Sequence, residues 1–198
     1  MKKVFIDNFD PDIRSKLETK FDEIIKLLRL NEVVDNVHLE ETPKRLSKMF
    51  VTELFEGCFN APPLIKTFVD KNVTPVISTN ISIKSVCAHH FVPFLGKASI
   101  YYTPKDGIIT GLSKFSRIAD YFSRRPQIQE NLTRQIGEYL VEHLQPKDLI
   151  IAIKAQHMCM SLRGVNEDTP LTETYYAYDI TGVENFEKIR YVMDSIKL

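Results

Sequence analysis

Residues 76–104, VISTNISIKSVCAHHFVPFLGKASIYYTP, decide the fold class. The segments VISTNISIKSV and GKASIYYTP have the β-branched and aromatic composition that is typical of strands. A turn signal, PKDG at 104–107, separates them from a further apolar run, IITG. The sequence therefore predicts a β-rich region from about residue 76 to residue 110.

Two amphipathic helices are predicted directly after this region. SKFSRIADYFSRR, at 113–125, carries its apolar residues on one side, and PQIQENLTRQIGEYLVEHL begins at Pro126 with apolar residues at a spacing of four. A strongly apolar strand, DLIIAIKAQHMCMSLRGV at 148–165, and a β-rich tail containing TETYYAYDITG follow. This order predicts an α+β fold, with a largely antiparallel sheet and helices on one face.

Two further helices are predicted before the β-rich region. The first begins with Asp10 as N-cap and Pro11 at the first helical position, and the second begins at Thr42 and Pro43 and ends at Gly57. They form a predicted N-terminal helical extension, residues 1–60, ahead of the main domain at 61–198.

The composition predicts a soluble globular protein. Hydrophobic residues make up 43% of the 198 residues, and 26 basic residues balance 26 acidic ones. A net charge of zero argues against a broad surface for nucleic acid or membrane. The longest apolar run, LIIAI at 149–153, is far below the roughly 20 residues that span a bilayer. Because three cysteines occur without a signal-peptide pattern, we expect a cytoplasmic protein.

The tetrad Cys87-Ala88-His89-His90 offers metal-ligand chemistry. Cys87-x-x-His90 is a compact pair of the kind that zinc sites use, and Cys159 on the later strand is a candidate third ligand. Three protein ligands leave one position open, which is typical of a catalytic zinc site. For the later strand alone, the alternative is a buried cysteine beside a hydrogen-bonded histidine.

Strand alternation predicts that reactive side chains share one face of the later strand, opposite an apolar face with Met158, Met160 and Leu162. The reactive set is His157, Cys159, Ser161 and Arg163. With three ligands assigned, His89 and His157 remain as proton donors or acceptors near neutral pH. For His89, a surface position is the alternative.

Polar residues near two helix starts are candidates for substrate binding. A helix N-terminus with basic side chains predicts an anion site, although a solvated basic face is the alternative. The anion-site candidates are Ser113, Lys114, Arg117 and Arg163. Gln129 and Glu130, in the first turn of the next helix, either offset the helix dipole or accept the paired N–H donors of a guanine-like ring edge.

Four blocks of the sequence together resemble the GTP cyclohydrolase I family, zinc enzymes that open pterin biosynthesis. The blocks are ETPKRLSKMF, SVCAHHFVPFLGKASIYYTP, GLSKFSRIADYFSRRPQIQENLT and HMCMSLRGV, in the family's order and at its approximate spacings. The resemblance implies the tunnelling fold (T-fold), an antiparallel sheet with two long helices on one face. It also implies a homodecamer of two stacked pentameric rings, with active sites where subunits meet.

Carried over residue by residue, the resemblance implies a division of roles. Zinc is held by three ligands, protons move through two histidines and a serine beside the ribose, and GTP is held by a polar set that anchors the guanine and the triphosphate. The implied zinc ligands are Cys87, His90 and Cys159; the catalytic residues His89, His157 and Ser113; the guanine anchors Gln129 and Glu130; and the triphosphate contacts Lys114, Arg117, Arg163 and Arg45.

The implied reaction converts GTP to 7,8-dihydroneopterin triphosphate and formate. Zinc lowers the pKa of a bound water to about 7, and the hydroxide attacks purine C8 while His157 protonates N7. Ring opening, an Amadori rearrangement of the ribose and reclosure follow, with His89 and Ser113 serving the sugar-side proton transfers. The product feeds pterin routes such as tetrahydrofolate synthesis, and the sequence does not distinguish folate, biopterin and deazapurine routes.

Ala88 departs from the family, which usually has Glu between the cysteine and the two histidines. The departure leaves all three implied ligands in place. Loss of an outer-shell partner typically costs about 10–100-fold in affinity or activity. We therefore expect slower or altered catalysis rather than its loss.

Two other interpretations stay open. One is a non-catalytic, zinc-stabilised oligomeric binding module; the spare histidines, the Ser/Lys/Arg set and Glu130 argue against it, because a structural zinc site needs none of them. The other is a different tunnelling-fold enzyme, such as a pterin synthase or aldolase relative, or the nitrile reductase of the queuosine route. That reductase would need a nucleophilic cysteine and a nicotinamide cofactor, and the sequence shows no dinucleotide fingerprint.

Overall fold

The N-terminal part of the chain is a compact helical unit. The structure, a computed structural model, describes residues 5–180 and 184–197 and divides into the units Met1–Ala61 and Pro62–Leu198. In the first unit, the rings of Phe21 and Phe50 pack with centroids 5.2 Å apart. Its helices are α1 Ile13–Leu27, a 3-10 turn Leu30–Glu32, α2 Asn36–Leu39, α3 Thr42–Met49, a π-helical turn Phe50–Leu54 and α4 Glu56–Phe59.

Two predicted helix boundaries in this unit are wrong. Asp12, and not Asp10, is the N-cap of α1, and Pro11 precedes the helix, because the Asp10 carboxylate accepts the N–H of Asp12 and holds a turn ahead of it. Gly57 lies inside α4 and does not adopt the positive φ by which a glycine commonly ends a helix. The predicted start at Thr42 and Pro43 is confirmed.

The second unit is organised around a five-stranded sheet of order β5-β2-β3-β6-β7. Its neighbouring strands are antiparallel, except that the two-residue β5 runs parallel to β2. A separate two-stranded sheet pairs β1 with β4. The strands are β1 Thr67–Val69, β2 Val76–Cys87, β3 Pro93–Thr103, β4 Ile108–Thr110, β5 Pro126–Gln127, β6 Asp148–His157 and β7 Leu171–Tyr178.

Two long helices, α5 Ser113–Ser123 and α6 Gln129–Leu144, cover one face of this sheet. Alternate residues of β6 and the apolar stripes of both helices form one buried core. Its fully buried members include Leu149, Ile151, Ile153, Phe115, Ile118, Leu132 and Ile136. The predicted α+β fold, an antiparallel sheet with two long helices on one face as in the tunnelling fold, is confirmed.

The opposite face of β6 carries α8, Glu184–Asp194, which the sequence pattern did not predict. Ile150 and Ala152 pack there against Val192 and Ile196. Because β6 is covered on both faces, its sequence is a continuous apolar run and does not alternate. Within the described residues, no helix is long and apolar enough to cross a membrane.

The strand predicted at 148–165 ends earlier, at His157. Its partner β3 begins at Pro93, and the β3–β6 ladder stops where Phe94 pairs with His157. Beyond this point the backbone finds no strand to pair with and forms the one-turn helix α7, Met158–Ser161. The predicted alternation past His157 is therefore wrong, and its supposed apolar face is open, with Leu162 74% exposed.

Candidate active site

The predicted reactive residues meet at one end of the sheet. Strands β2 and β6 flank β3 and both run antiparallel to it, so they end at the same edge. Cys87 is the last residue of β2 and His157 the last of β6. Gln127 of β5 pairs with Cys87 and brings the start of α6 to the same edge.

A tight turn after β2 carries the two adjacent histidines. The N–H of Phe91 donates to the carbonyl of Cys87 at 2.8 Å, and the N–H of Cys87 donates to the carbonyl of Val92 at 2.9 Å. Phe91 closes the turn with φ of 53°, in the left-handed region. Ala88 is exposed, and its N–H donates to the carbonyl of Gln127 at 2.9 Å. Ala88 is thus a solvent-facing turn residue.

Cys87, His90 and Cys159 form a cluster in which one ligand atom from each lies within 4.8 Å of the others. Cys87 is buried, Cys159 is half-buried and His90 is exposed, so the cluster is open on one side. Burial and the neighbouring Cys87 raise the pKa of the Cys159 thiol, so a cation would favour its thiolate form. Two sulfurs and one imidazole nitrogen suit zinc, and three ligands leave room for a fourth.

This convergence has a different origin from the predicted one. Strand alternation was expected to align Cys159, Ser161 and Arg163 with His157, but α7 carries or precedes these residues. The Ser161 hydroxyl donates to the carbonyl of His157 at 3.3 Å within that turn. Helical geometry, and not the pleat, therefore turns Cys159 toward Cys87.

His157 is held beside the cluster without being part of it. Its Nε2 lies 2.8 Å from Gln129 Oε1, and its ring stacks on Phe94 with centroids 4.6 Å apart and planes inclined by 11°. Burial lowers the pKa of His157 below its ordinary value, with the charge of Glu130 opposing that shift. This is the setting of a histidine that is neutral near pH 7.

The two adjacent polar residues at the start of α6 differ in environment. Glu130 is exposed, whereas Gln129 is 1% exposed and its amide is fully engaged inside the protein. Gln129 Nε2 donates to the carbonyls of Ile153 and Thr172 at 3.1 and 2.9 Å. Of the two predicted guanine anchors, the structure leaves Glu130 open to a ligand and turns Gln129 toward His157.

His89 lies next to Cys87, and Arg163 lies next to His90. His89 Nδ1 is 3.7 Å from Cys87 Sγ, and Arg163 Nη1 is 3.0 Å from His90 Nε2. Because arginine only donates, His90 Nε2 must accept with its lone pair. A neutral, metal-bound imidazole offers no such acceptor, since one nitrogen binds the metal and the other carries the proton. Arg163 and a metal are therefore alternative partners of His90.

The remaining predicted substrate residues lie elsewhere. Ser113, Lys114 and Arg117 occupy the start of α5, whereas the carbonyl of Ser123 at its end accepts the Ser85 hydroxyl of β2 at 2.7 Å. An eleven-residue helix is about 15 Å long, so within one chain Ser113 lies at the far end of α5 from its contact with β2. Lys114 Nζ donates to the carbonyl of Leu64 at 2.9 Å.

Arg45, the last predicted triphosphate contact, is an exposed residue of α3 in the N-terminal unit.

One contact of the site was not predicted at all: Phe94, fully buried under the His157 ring. The β3–β6 register pairs Phe94 with His157, and a single sequence carries no signal for that register.

The sequence is similar to known proteins over most of its length. A profile of the GTP cyclohydrolase I family matches residues 17–193. The chain is 40% identical to GTP cyclohydrolase 1 of Streptococcus agalactiae serotype Ia, over 80% of this chain and 86% of that protein. It is 38% identical to GTP cyclohydrolase 1 of Desulforamulus reducens, over 78% and 84% respectively.

A shorter alignment is more similar still. GTP cyclohydrolase 1 of Streptococcus pyogenes serotype M18 is 45% identical, over 69% of this chain and 71% of that protein. Identity of this extent, together with the family profile and the fold, confirms the resemblance to the GTP cyclohydrolase I family. The chain belongs to the GTP cyclohydrolase I family, and it is an enzyme of that type.

Proposed function

We propose that this enzyme is a zinc-dependent GTP cyclohydrolase I that forms 7,8-dihydroneopterin triphosphate and formate. The observation that carries the proposal is the cluster of Cys87, His90 and Cys159 ligand atoms within 4.8 Å of one another, with His157 held nearby. The zinc-stabilised binding module explains the cluster but gives no purpose to a neutral histidine, stacked and hydrogen-bonded, that ligates nothing.

The three ligands hold the metal at the open edge of the sheet. When bound, zinc supplies a Lewis acid that lowers the pKa of water to about 7 and so provides a nucleophile for purine C8. The buried Cys87 anchors this centre to β2, and the exposed His90 leaves the outward side of the cluster accessible to substrate.

Two histidines and a serine handle protons in the proposed reaction. When it carries a second proton, His157 gives that proton to purine N7 as the C8–N bond weakens, because that nitrogen must accept charge when the ring opens. His89 and Ser113 serve the later proton transfers at the ribose. His89 is exposed beside Cys87, so it can exchange its proton with solvent.

Charged side chains hold the two ends of GTP in this proposal. Glu130, exposed at the start of α6, accepts the paired N–H groups of guanine. Lys114, Arg117 and Arg163 bind the triphosphate, and Arg45 adds a further contact. Gln129 assists the guanine anchor through its position next to Glu130.

A complete site requires more than one chain. Ser113 lies about 15 Å along α5 from the end that contacts β2, too far for one ribose to reach both Ser113 and the cluster. We therefore place the site between subunits, one giving the metal cluster and another the start of α5. A homodecamer of two pentameric rings, as the family resemblance implies, provides such interfaces.

Metal analysis with matched cysteine variants tests the zinc assignment. Purified protein should contain about one zinc per chain, Cys159→Ser should lose it, and Cys58→Ser, a cysteine of the N-terminal unit, should retain it. A His157→Ala variant should keep zinc and lose ring opening. Full zinc in the Cys159→Ser protein would refute the ligand set, and normal turnover of His157→Ala would refute its proton role.

A further inference from the structure

We propose that Gln129 is a positioning residue that holds the proton of His157 on Nε2, so that Nδ1 is the atom that exchanges a proton with the substrate. This inference rests on the proposed proton-transfer role of His157. It assigns to Gln129 a function that needs no contact with GTP.

The orientation of the Gln129 amide is fixed by its partners. One end of the amide lies 3.1 Å from the carbonyl of Ile153 and 2.9 Å from the carbonyl of Thr172. A carbonyl oxygen only accepts, so this end must be the NH₂ group. Thr174 Oγ1, at 3.1 Å, is a third acceptor for this NH₂ group. The flipped amide would place its oxygen against two carbonyl oxygens inside the protein, at a large electrostatic cost.

The histidine tautomer follows from that orientation. Gln129 Oε1 faces His157 Nε2 at 2.8 Å, and an amide oxygen has no hydrogen to give. His157 Nε2 must therefore carry the hydrogen, in the neutral ring and in the charged ring alike. The proton that His157 gains or loses during a reaction is then the one on Nδ1.

Packing keeps the ring in this orientation. The imidazole stacks on Phe94, which is fully buried, so a ring flip would have to exchange Nε2 for a carbon at the Gln129 contact. The Gln129 side chain is itself bracketed by β6 and β7, through Ile153 and Thr172. A histidine whose neighbour fixes its tautomer presents the same nitrogen to every substrate molecule.

Histidine ¹⁵N NMR tests the tautomer without any turnover. Two-bond ¹⁵N–¹H correlation of the full-length, histidine-labelled protein shows which ring nitrogen is protonated, and the His157 signals are those that His157→Ala removes. We expect Nε2–H in the wild type. Gln129→Met, which keeps the volume but removes the acceptor, should give a mixture of tautomers.

Gln127→Met is the matched control. Gln127 is also buried, and its Nε2 donates to the carbonyl of Phe122 and to Gln135 Oε1 at 2.8 and 3.0 Å, but no hydrogen bond joins it to His157. This variant loses a similar buried amide and should retain the Nε2–H tautomer. Thr174→Val, which removes a single partner of Gln129, offers a milder variant if Gln129→Met does not fold.

Kinetics separates positioning from substrate contact. Gln129→Met should lower kcat by about 10- to 100-fold, the usual effect of losing a residue that orients a functional histidine, with KM little changed. A wild-type Nδ1–H tautomer, an unchanged tautomer in Gln129→Met, or an effect on KM alone would overturn the inference. Normal turnover of His157→Ala would instead overturn the proposed function and leave the tautomer result standing.

Discussion

Removing the Arg163 guanidinium should tighten metal binding. Arg163 Nη1 donates to His90 Nε2 across 3.0 Å, and a metal-bound His90 has no acceptor for that bond. The metal must therefore displace Arg163 before His90 can coordinate. Replacing the residue in Arg163→Met removes this competition.

The size of the effect follows from the exposure of the pair. Arg163 and His90 are both exposed, so their hydrogen bond contributes no more than the usual net value of about 0.5–1.5 kcal/mol. At about 1.4 kcal/mol per factor of ten, zinc should bind about 2- to 10-fold more tightly. In the same variant, loss of the proposed triphosphate contact should weaken GTP binding, so the two affinities move in opposite directions.

Competition with a chromophoric zinc chelator measures the first affinity, and calorimetry with GTP the second. Arg117→Met is the matched control: it removes an exposed arginine from α5 that is also proposed to bind triphosphate but does not touch His90. Competition between Arg163 and zinc for His90 is refuted if Arg163→Met binds zinc no more tightly than the wild type, or if Arg117→Met tightens zinc binding equally.

Three further outcomes are expected. Ala88→Glu, at an exposed turn position, should raise kcat/KM by about 10- to 100-fold with little change in melting temperature; an unchanged kcat/KM would contradict a role for the missing carboxylate. Gly137→Ala should lower the free energy of unfolding in urea by about 1–3 kcal/mol, because its Cβ would overlap the ring of Tyr176; a more stable variant would mean that helix propensity prevails. Burial lowers the pKa of Lys188, but the hydrogen bond and charge of Asp148, together with Tyr101, outweigh burial and raise that pKa above 10.5. Stability should therefore fall as pH rises past 10.5, and Lys188→Met should flatten that decline in pH-dependent urea melts; an equal decline in both proteins would contradict this ion pair's role.

The metal cluster was predictable because ligand chemistry is visible in residue types. Cys87 and His90 stand at a spacing that zinc sites use, and few roles other than metal binding require both. Cys159 was predicted from strand alternation and joins the cluster through a helical turn instead. The residue type was sufficient to identify Cys159 as a candidate ligand, although its predicted strand conformation was wrong.

Strand ends and buried polar contacts were not predictable in the same way. The end of β6 depends on where its partner β3 begins, at Pro93, and no periodicity within 148–165 encodes that. Gln129 and Glu130 are adjacent and chemically similar in sequence, yet one is 1% exposed and the other is open to solvent. Their difference arises because neighbouring positions of a helix point about 100° apart, so Gln129 turns toward β6 and β7 while Glu130 does not.

Helix α8 was missed for a related reason. It is stabilised by docking Val192 onto Ile150 and Ala152 of β6. Short helices gain most of their stability from such tertiary packing. The contact with β6 decides whether this segment forms a helix, and a single sequence does not show that contact.

The most direct test of the account is the turnover of GTP by zinc-loaded protein, with formate and the fluorescent oxidised pterin followed in the same reaction. We expect both products in a one-to-one ratio, with both lost when zinc is removed by a chelator and both restored when zinc is returned. GTP that binds to zinc-loaded protein without releasing formate would contradict the account, and so would full turnover in the metal-free protein.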